Sequence, residues 1–278
     1  MIFVYKKWER FCAALAAAGR RSIPACEVTA DMPTYLVLKH DVETKVQNAY
    51  RMARIEQAHG HRGSYYVHAY LLRDEKNLAM LREMQNMGHE ISYHHDVLDG
   101  SHGDMDKAIA DFEQNRRFFE EKGFPIITVC QHGNPVMARV GYTSNRDFFR
   151  SERVRALYPH ITDIMVNYAT TVPTEYLYFS DAGRKFKLIY DPINNDLVKS
   201  DDQNIACRDL CAVQAMLATD RGNIISTHPH RWTRSAVLYE IKAGIFRLLR
   251  FAVKLLVKIP FTWGSWSHPT ETPMRERP

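Results

Sequence analysis

Cysteine is scarce and scattered in this chain. The five are Cys12, Cys26, Cys130, Cys207 and Cys211. An odd, dispersed set excludes a disulfide framework and points to a reducing compartment. Cys207 and Cys211 share one helix face but lack a second pair, so two packed thiols are the simpler reading. Long apolar runs are also missing, and none is long enough for an uninterrupted membrane span. The apolar stretch from Phe11 to Gly19 is short and follows Glu9 and Arg10 directly. No small-x-small cleavage site comes cleanly after it, so it reads as an amphipathic helix rather than a signal peptide. There is no nucleophilic serine elbow, phosphate-binding glycine loop or dinucleotide fingerprint in the right context. Zinc-finger, RNA-binding and basic-zipper patterns are absent. So are internal repeats and low-complexity tracts.

Histidine is what the chain does have. Five short apolar runs end in it: Tyr35 to His40, Ser64 to His68, Glu90 to His95, Ile126 to His132 and Asn223 to His228. Each run reads as a buried strand. Ligands and catalysts gather at the carboxyl ends of parallel strands, so histidines repeated there imply a metal or acid–base site assembled from distant segments.

Strands are expected at 34–39, 64–68, 89–94 and 126–131, alternating with helices at 6–20, 44–59, 75–87 and 105–122. Gly88 closes one helix and Asp104 caps the next. Further short strands are expected at 162–167, 176–180, 186–190 and 223–228, with a helix at 203–219. Seven or eight strands alternating with helices suit an α/β barrel, complete or incomplete.

Four constellations carry chemistry. Lys39-His40-Asp41-Val42-Glu43 offers nitrogen and oxygen ligands for a borderline divalent metal. In Gly88-His89-Glu90-Ile91-Ser92-Tyr93-His94-His95-Asp96, alternation sends Glu90, Ser92, His94 and Asp96 one way. His89, Ile91, Tyr93 and His95 go the other, and either set could face inward. Gln131-His132-Gly133-Asn134-Pro135 holds His132 in a tight turn. In Thr227-His228-Pro229-His230-Arg231-Trp232, His228 suits a general acid and Trp232 a pocket wall.

The order of these segments resembles the polysaccharide deacetylase (NodB-homology) superfamily, also called carbohydrate esterase family 4. The resemblance covers about residues 30–235. His40-Asp41 matches that family's Asp-Asp pair, Gly88 to His94 matches its Gly-His-Glu-Ile-Gly-x-His segment, and His228 matches its last motif. The implied fold is a distorted (β/α)7–8 barrel of the NodB type spanning residues 1–233. The implied activity is metal-dependent hydrolysis of an N-acyl group, N-acetyl in the first instance, on an amino sugar. Zn2+ is the expected cation. Asp41 and His94 would bind it, and His228 would protonate the leaving amine. The family's base falls at His40, with Glu43 as the other candidate. The family's second metal histidine falls at Leu98, so the missing ligand is sought at Asp96 or His132, with His95 also in reach. A divergent branch with a His-Asp-Val-acid motif, linked to surface-polysaccharide and O-antigen biosynthesis, is the nearest match. Tyr178 to Arg184 resembles a segment of that branch. There Asp181 would orient a histidine and Arg184 meet an anionic substrate group. Asp181, Arg184, His230 and Trp232 are the expected substrate-binding set.

The net charge of +5 is concentrated late, at Lys242, Arg247, Arg250, Lys254 and Lys258. Residues 234–262 read as a basic amphipathic helix that suits the cytoplasmic face of a membrane and a lipid-linked glycan. Packing on protein is the plainer alternative. The tail 263–278 reads as disordered. No nucleic-acid partner is expected. Two other functions fit the same motifs: an amidohydrolase acting on a small ureide-like amide, and a non-catalytic glycan-binding scaffold.

Overall fold

The computed structural model describes residues 3–134, 137–168, 175–193, 203–241 and 244–245. The strands are β1 Leu36–Val42, β2 Ser64–Val67, β3 Glu90–His95, β4 Thr128–Gln131, β5 Thr162–Asp163, β6 Tyr176–Ser180, β7 Lys187–Ile189, β8 Ile205–Ala206 and β9 Gly222–Thr227. The longer helices are α1 Tyr5–Ala17, α2 Val46–Ala58, α3 Glu75–Asn86 and α5 Met105–Glu121. Shorter ones are α4 Val97–Gly100, α6 Asp147–Arg150, α7 Glu152–Leu157 and α8 Leu210–Met216.

One sheet holds all nine strands in the order β5-β4-β3-β2-β1-β9-β6-β7-β8. The β6–β7 and β7–β8 ladders are antiparallel and the others parallel. From β1 to β5 the strands step outward in one direction, as they would in a barrel. Closure does not follow: among the described residues no ladder joins β5 to β8, and the expected barrel is an open sheet. Two local events explain it. After β5, the Asp163 carboxylate accepts the Met165 N–H at 2.8 Å, and Asn167 Oδ1 accepts the Asp163 N–H at 2.8 Å. These bonds turn the chain, so the strand expected at 162–167 stops after two residues. On the far side, β7 and β8 fold back as antiparallel strands instead of crossing over.

Both faces of the central strands are buried. On one face Val42, Tyr65, Val67, Ile91, Tyr93 and Val129 pack with helix residues such as Ala49, Ala53, Leu78, Leu81, Phe112 and Phe119. On the other, Val37, Tyr66, Cys130, Tyr178 and Ile224 pack with Ile164, Met165 and Tyr168. Alternation therefore splits each strand between a helix-facing layer and an inner layer.

Caps fix the helix starts. Asp74 accepts from Lys76 N and Asn77 N at 2.9 and 3.0 Å, and Asp104 accepts from Lys107 N at 3.2 Å. The helix expected at 203–219 is shorter, because Asp209 caps it by accepting from Ala212 N at 2.9 Å. The residues before that cap are extended and pair as β8.

The chain divides into a unit Met1–Tyr239 and a second unit Glu240–Pro278. Most of the expected C-terminal helix and all of the expected tail lie outside the described residues. Among the described residues no helix is long and apolar enough to cross a membrane. All five cysteines are free.

Candidate active site

Register sets the strand ends level. Val42 pairs with Val67 and Val67 with Tyr93, so Glu43, His68 and His94 arrive together at the carboxyl mouth. His40 pairs with Thr227, which places His228 beside Asp41. The inner layer receives Lys39, Asp41, His94 and His228. These four help to line a cleft of about 460 Å³, with Glu43, Tyr178 and Arg231 on its walls.

Lys39 and Asp41 form a buried pair. The ammonium lies 2.6 and 2.7 Å from the two carboxylate oxygens and 3.4 Å from Ser226 Oγ, and Lys39 is 1 % exposed. Burial works against both charges. Each partner's charge overcomes that penalty, holding the Asp41 carboxyl below its usual range and the Lys39 ammonium above its own.

His228 is held from behind by Asp181. Its Nδ1–H donates to Asp181 Oδ1 at 2.5 Å, and its backbone N–H donates to Oδ2 at 3.1 Å. Arg231 adds a bond to the same carboxylate at 3.2 Å. Burial alone would raise the Asp181 carboxyl; His228 and then Arg231 reverse that and keep it anionic. With Nδ1 engaged, Nε2 faces the cleft, 3.8 Å from Asp41 and 3.7 Å from Glu43. Glu43 also lies 3.7 Å from His132 Nδ1 and 3.6 Å from His230 Nδ1. Burial pushes the His230 imidazole down to about 4, with help from the charges of His228 and Arg231.

Beside this acid–base group sit three histidines. The ligand nitrogens of His68, His94 and His132 all lie within 4.8 Å of one another. His94 Nδ1–H donates to the Cys130 carbonyl at 3.0 Å, which leaves its Nε2 as the lone-pair nitrogen, 3.2 Å from His132 Nδ1. Burial keeps both His94 and His68 neutral, His68 down to about 4. Neutral imidazole is the form that binds metal. Asp41, His94 and Cys130 form a second group with ligand atoms within the same 4.8 Å.

Several expected site residues are elsewhere. His40 is turned to the helix-facing layer by strand alternation. Its Nε2 lies 3.0 Å from Glu56 and its Nδ1 2.7 Å from Thr227 Oγ1, so it does not reach the cleft as a base. It belongs to a buried cluster in which Glu56 also accepts from Trp8 Nε1 at 3.0 Å and Tyr65 OH at 2.9 Å. His95 likewise faces the helices and lies 2.9 Å from Asp163. Asp96 is half-buried at the start of α4 and joins neither ligand group. Trp232 is 1 % exposed and packs on Phe3 and Trp8, a core residue rather than a pocket wall. Asp181 is wholly buried behind His228, where it positions the ring and cannot meet substrate. Arg184 closes the turn Ala182–Arg184, and its side chain lies outside the described residues. Two residues that sequence reasoning did not assign are in the site. His68 carries the same strand-end signal as His94. Lys39 lies two residues before Asp41 and so on the same side of β1.

An open, mostly parallel α/β sheet with carboxylates and a histidine cluster at one mouth is the class that fold and site define. No family model matches the chain, and no curated protein matches it. Solved structures similar to it include two deacetylases. One is the catalytic domain of a peptidoglycan N-acetylglucosamine deacetylase from Eubacterium rectale, at 12% identity and TM-score 0.40, covering 82% of this chain and 89% of that one. The other is a peptidoglycan deacetylase from Bdellovibrio bacteriovorus, at 14% identity and TM-score 0.34, covering 81% of this chain and 53% of that one. Likenesses of this size leave the functional weight on the site itself.

Proposed function

We propose that the chain is a divalent-metal-dependent hydrolase that removes an N-acyl group, N-acetyl in the first instance, from an amino sugar. One observation carries the reading. His228, with Asp181 behind it, points Nε2 into a cleft that is also lined by Glu43 and by His94, one of three histidines whose ring nitrogens lie close together.

The donor set suits a cation. Imidazole nitrogens and carboxylate oxygens bind zinc and its borderline neighbours. Two tetrahedral nitrogen ligands at about 2.05 Å from zinc stand about 3.3 Å apart; His94 Nε2 and His132 Nδ1 are 3.2 Å apart. When bound, such an ion would polarise the amide carbonyl and acidify water.

The chain's own residues do the rest. Glu43 accepts a proton from the attacking water, whose oxygen bonds to the carbonyl carbon. Protonated His228 then donates from Nε2 to the amine nitrogen as the C–N bond breaks. The products are a carboxylic acid and a free amine. The proton on Glu43 returns to His228 Nε2 across the 3.7 Å between them. Asp181 fixes the His228 ring and stabilises its cationic form.

The test is a panel of N-acetylated amino sugars, free, oligomeric, nucleotide-linked and lipid-linked, with peptidoglycan fragments and cyclic ureides beside them. Release of acetate with a new primary amine is expected from at least one sugar. His228→Gln should lower kcat about 10²- to 10³-fold. Turnover of a ureide alone, or of nothing in the panel, would sink the reading.

A further inference from the structure

We propose that this chain's divalent cation is held by three histidines from three adjacent strands, His68, His94 and His132, while Asp41 remains the ion-pair partner of Lys39. The inference deepens the hydrolase reading and rests on it only for the presence of a cation. A deacetylase motif of this kind places the carboxylate of the first strand on the metal; here the geometry points one step along the sheet.

The three rings are almost equidistant. Their centroids lie 4.9 Å apart for His68 and His94, 5.0 Å for His68 and His132, and 5.1 Å for His94 and His132. His68 and His132 directly follow β2 and β4 and His94 is the last residue but one of β3, and the parallel pairing of these strands fixes the spacing. The Cys130 carbonyl takes the Nδ1 proton of His94 and so commits the other ring nitrogen to the centre of the triangle. A carbonyl that orients a ligating histidine through its far nitrogen is a recurring part of metal sites. Three histidines with a fourth position open is the pattern of a catalytic rather than a structural zinc site.

Asp41 is placed differently. Both its oxygens are already taken by Lys39, at 2.6 and 2.7 Å, and the ammonium is too buried to turn to water instead. A dication on this carboxylate would sit beside a buried positive charge. Leu98 completes the case. At the position where the family pattern carries its second histidine, this chain has a side chain packed in the helix-facing core. The third ligand is supplied from a neighbouring strand.

The experiment strips the full chain of metal, titrates it with Co2+ and Zn2+, and records the visible spectrum of the cobalt form. The wild type should bind one ion, with the spectrum of a nitrogen-ligated, four- or five-coordinate site and no thiolate charge-transfer absorption. His68→Gln and His132→Gln should each weaken binding about a hundredfold or more. Asp41→Asn should hold affinity within about threefold. If Asp41→Asn folds poorly, the pair Lys39→Met with Asp41→Asn removes both charges and answers the same question. Loss of the ion on Asp41→Asn, retention of it on His68→Gln, or a thiolate band from Cys130 would overturn the assignment while leaving a metal hydrolase standing. Failure of the wild type to bind any divalent ion would overturn both.

Discussion

At the scale of single residues, the cleft depends on charges that neutralise one another out of water. Lys39 is almost wholly buried, so its partner cannot be removed lightly. Asp41→Ala should destabilise the fold by about 3 to 5 kcal/mol, because it strands a buried ammonium. Replacing both members with apolar residues of similar volume should cost far less, and chemical denaturation of the single and double variants checks this. Asp181 acts through His228 rather than on substrate. Asp181→Asn should lower kcat about a hundredfold with KM nearly unchanged, whereas a merely structural defect would move both together. The histidine pattern made part of this legible beforehand. Glu43, His132 and His228 stand out as polar residues at strand ends against apolar runs, while Asp41 and His94 are singled out only by the motif resemblance. Lys39 does not stand out, since a lysine inside a strand reads as an exposed edge until its buried partner is seen.

At the scale of elements, the limit was the doubly buried strand. Every residue of β3 is buried, and so is every residue of β1. A strand covered on both faces shows no polar side, so its sequence does not say which alternate set points at the site. His94 and His95 were therefore indistinguishable, as were His40 and Asp41. Element positions were easier: Gly88, Asp104 and the apolar spacing marked the ends of α3 and α5. The turn after β5 escapes notice in the sequence because it depends on the Asp163 side chain accepting the Met165 N–H and the Asn167 side chain accepting the Asp163 N–H. Element packing also yields a prediction at Gly222, where β9 begins. A Cβ there would lie 2.2 Å from the Tyr35 ring, too close for any atom. Gly222→Ala should lower the melting temperature by several degrees, as a loss of about 2 kcal/mol in an overpacked site would do. A matching Tyr35→Phe, Gly222→Ala pair should recover little, because the ring itself is the obstacle.

For the whole molecule, acid should be the weak point. Burial holds His61 and His89 below the ordinary histidine value, and His230 down to about 4. In the unfolded chain these groups bind protons with a value of about 6.5. The unfolded state therefore takes up more protons below that pH, and stability should begin to fall as pH drops through about 6.5. The carboxyls of Asp41, Glu56 and Asp181 are held low in the fold. Their contribution is intact above about 4, the unfolded carboxyl value, and is lost as pH falls below it. Thermal melts between pH 8 and 3 should show two successive declines, the first from histidines and the second from carboxyls. A flat profile from pH 7 to 5 would contradict the first. The barrel expectation was met only in part at this same scale: the strands and helices alternate, and among the described residues the sheet does not close. Sequence alternation reports that strands and helices take turns, but whether the last strand meets the first depends on long-range pairing that no local pattern encodes.

An unclosed sheet has two borders, and each is a place where a neighbouring chain can add itself by main-chain bonding. Here the outermost strands, β5 and β8, are only two residues long. Borders so brief give an incoming strand almost nothing to zip onto, which is how natural sheets avoid polymerising side by side. The architecture thus keeps its mouth open for chemistry without turning its flanks into adhesive.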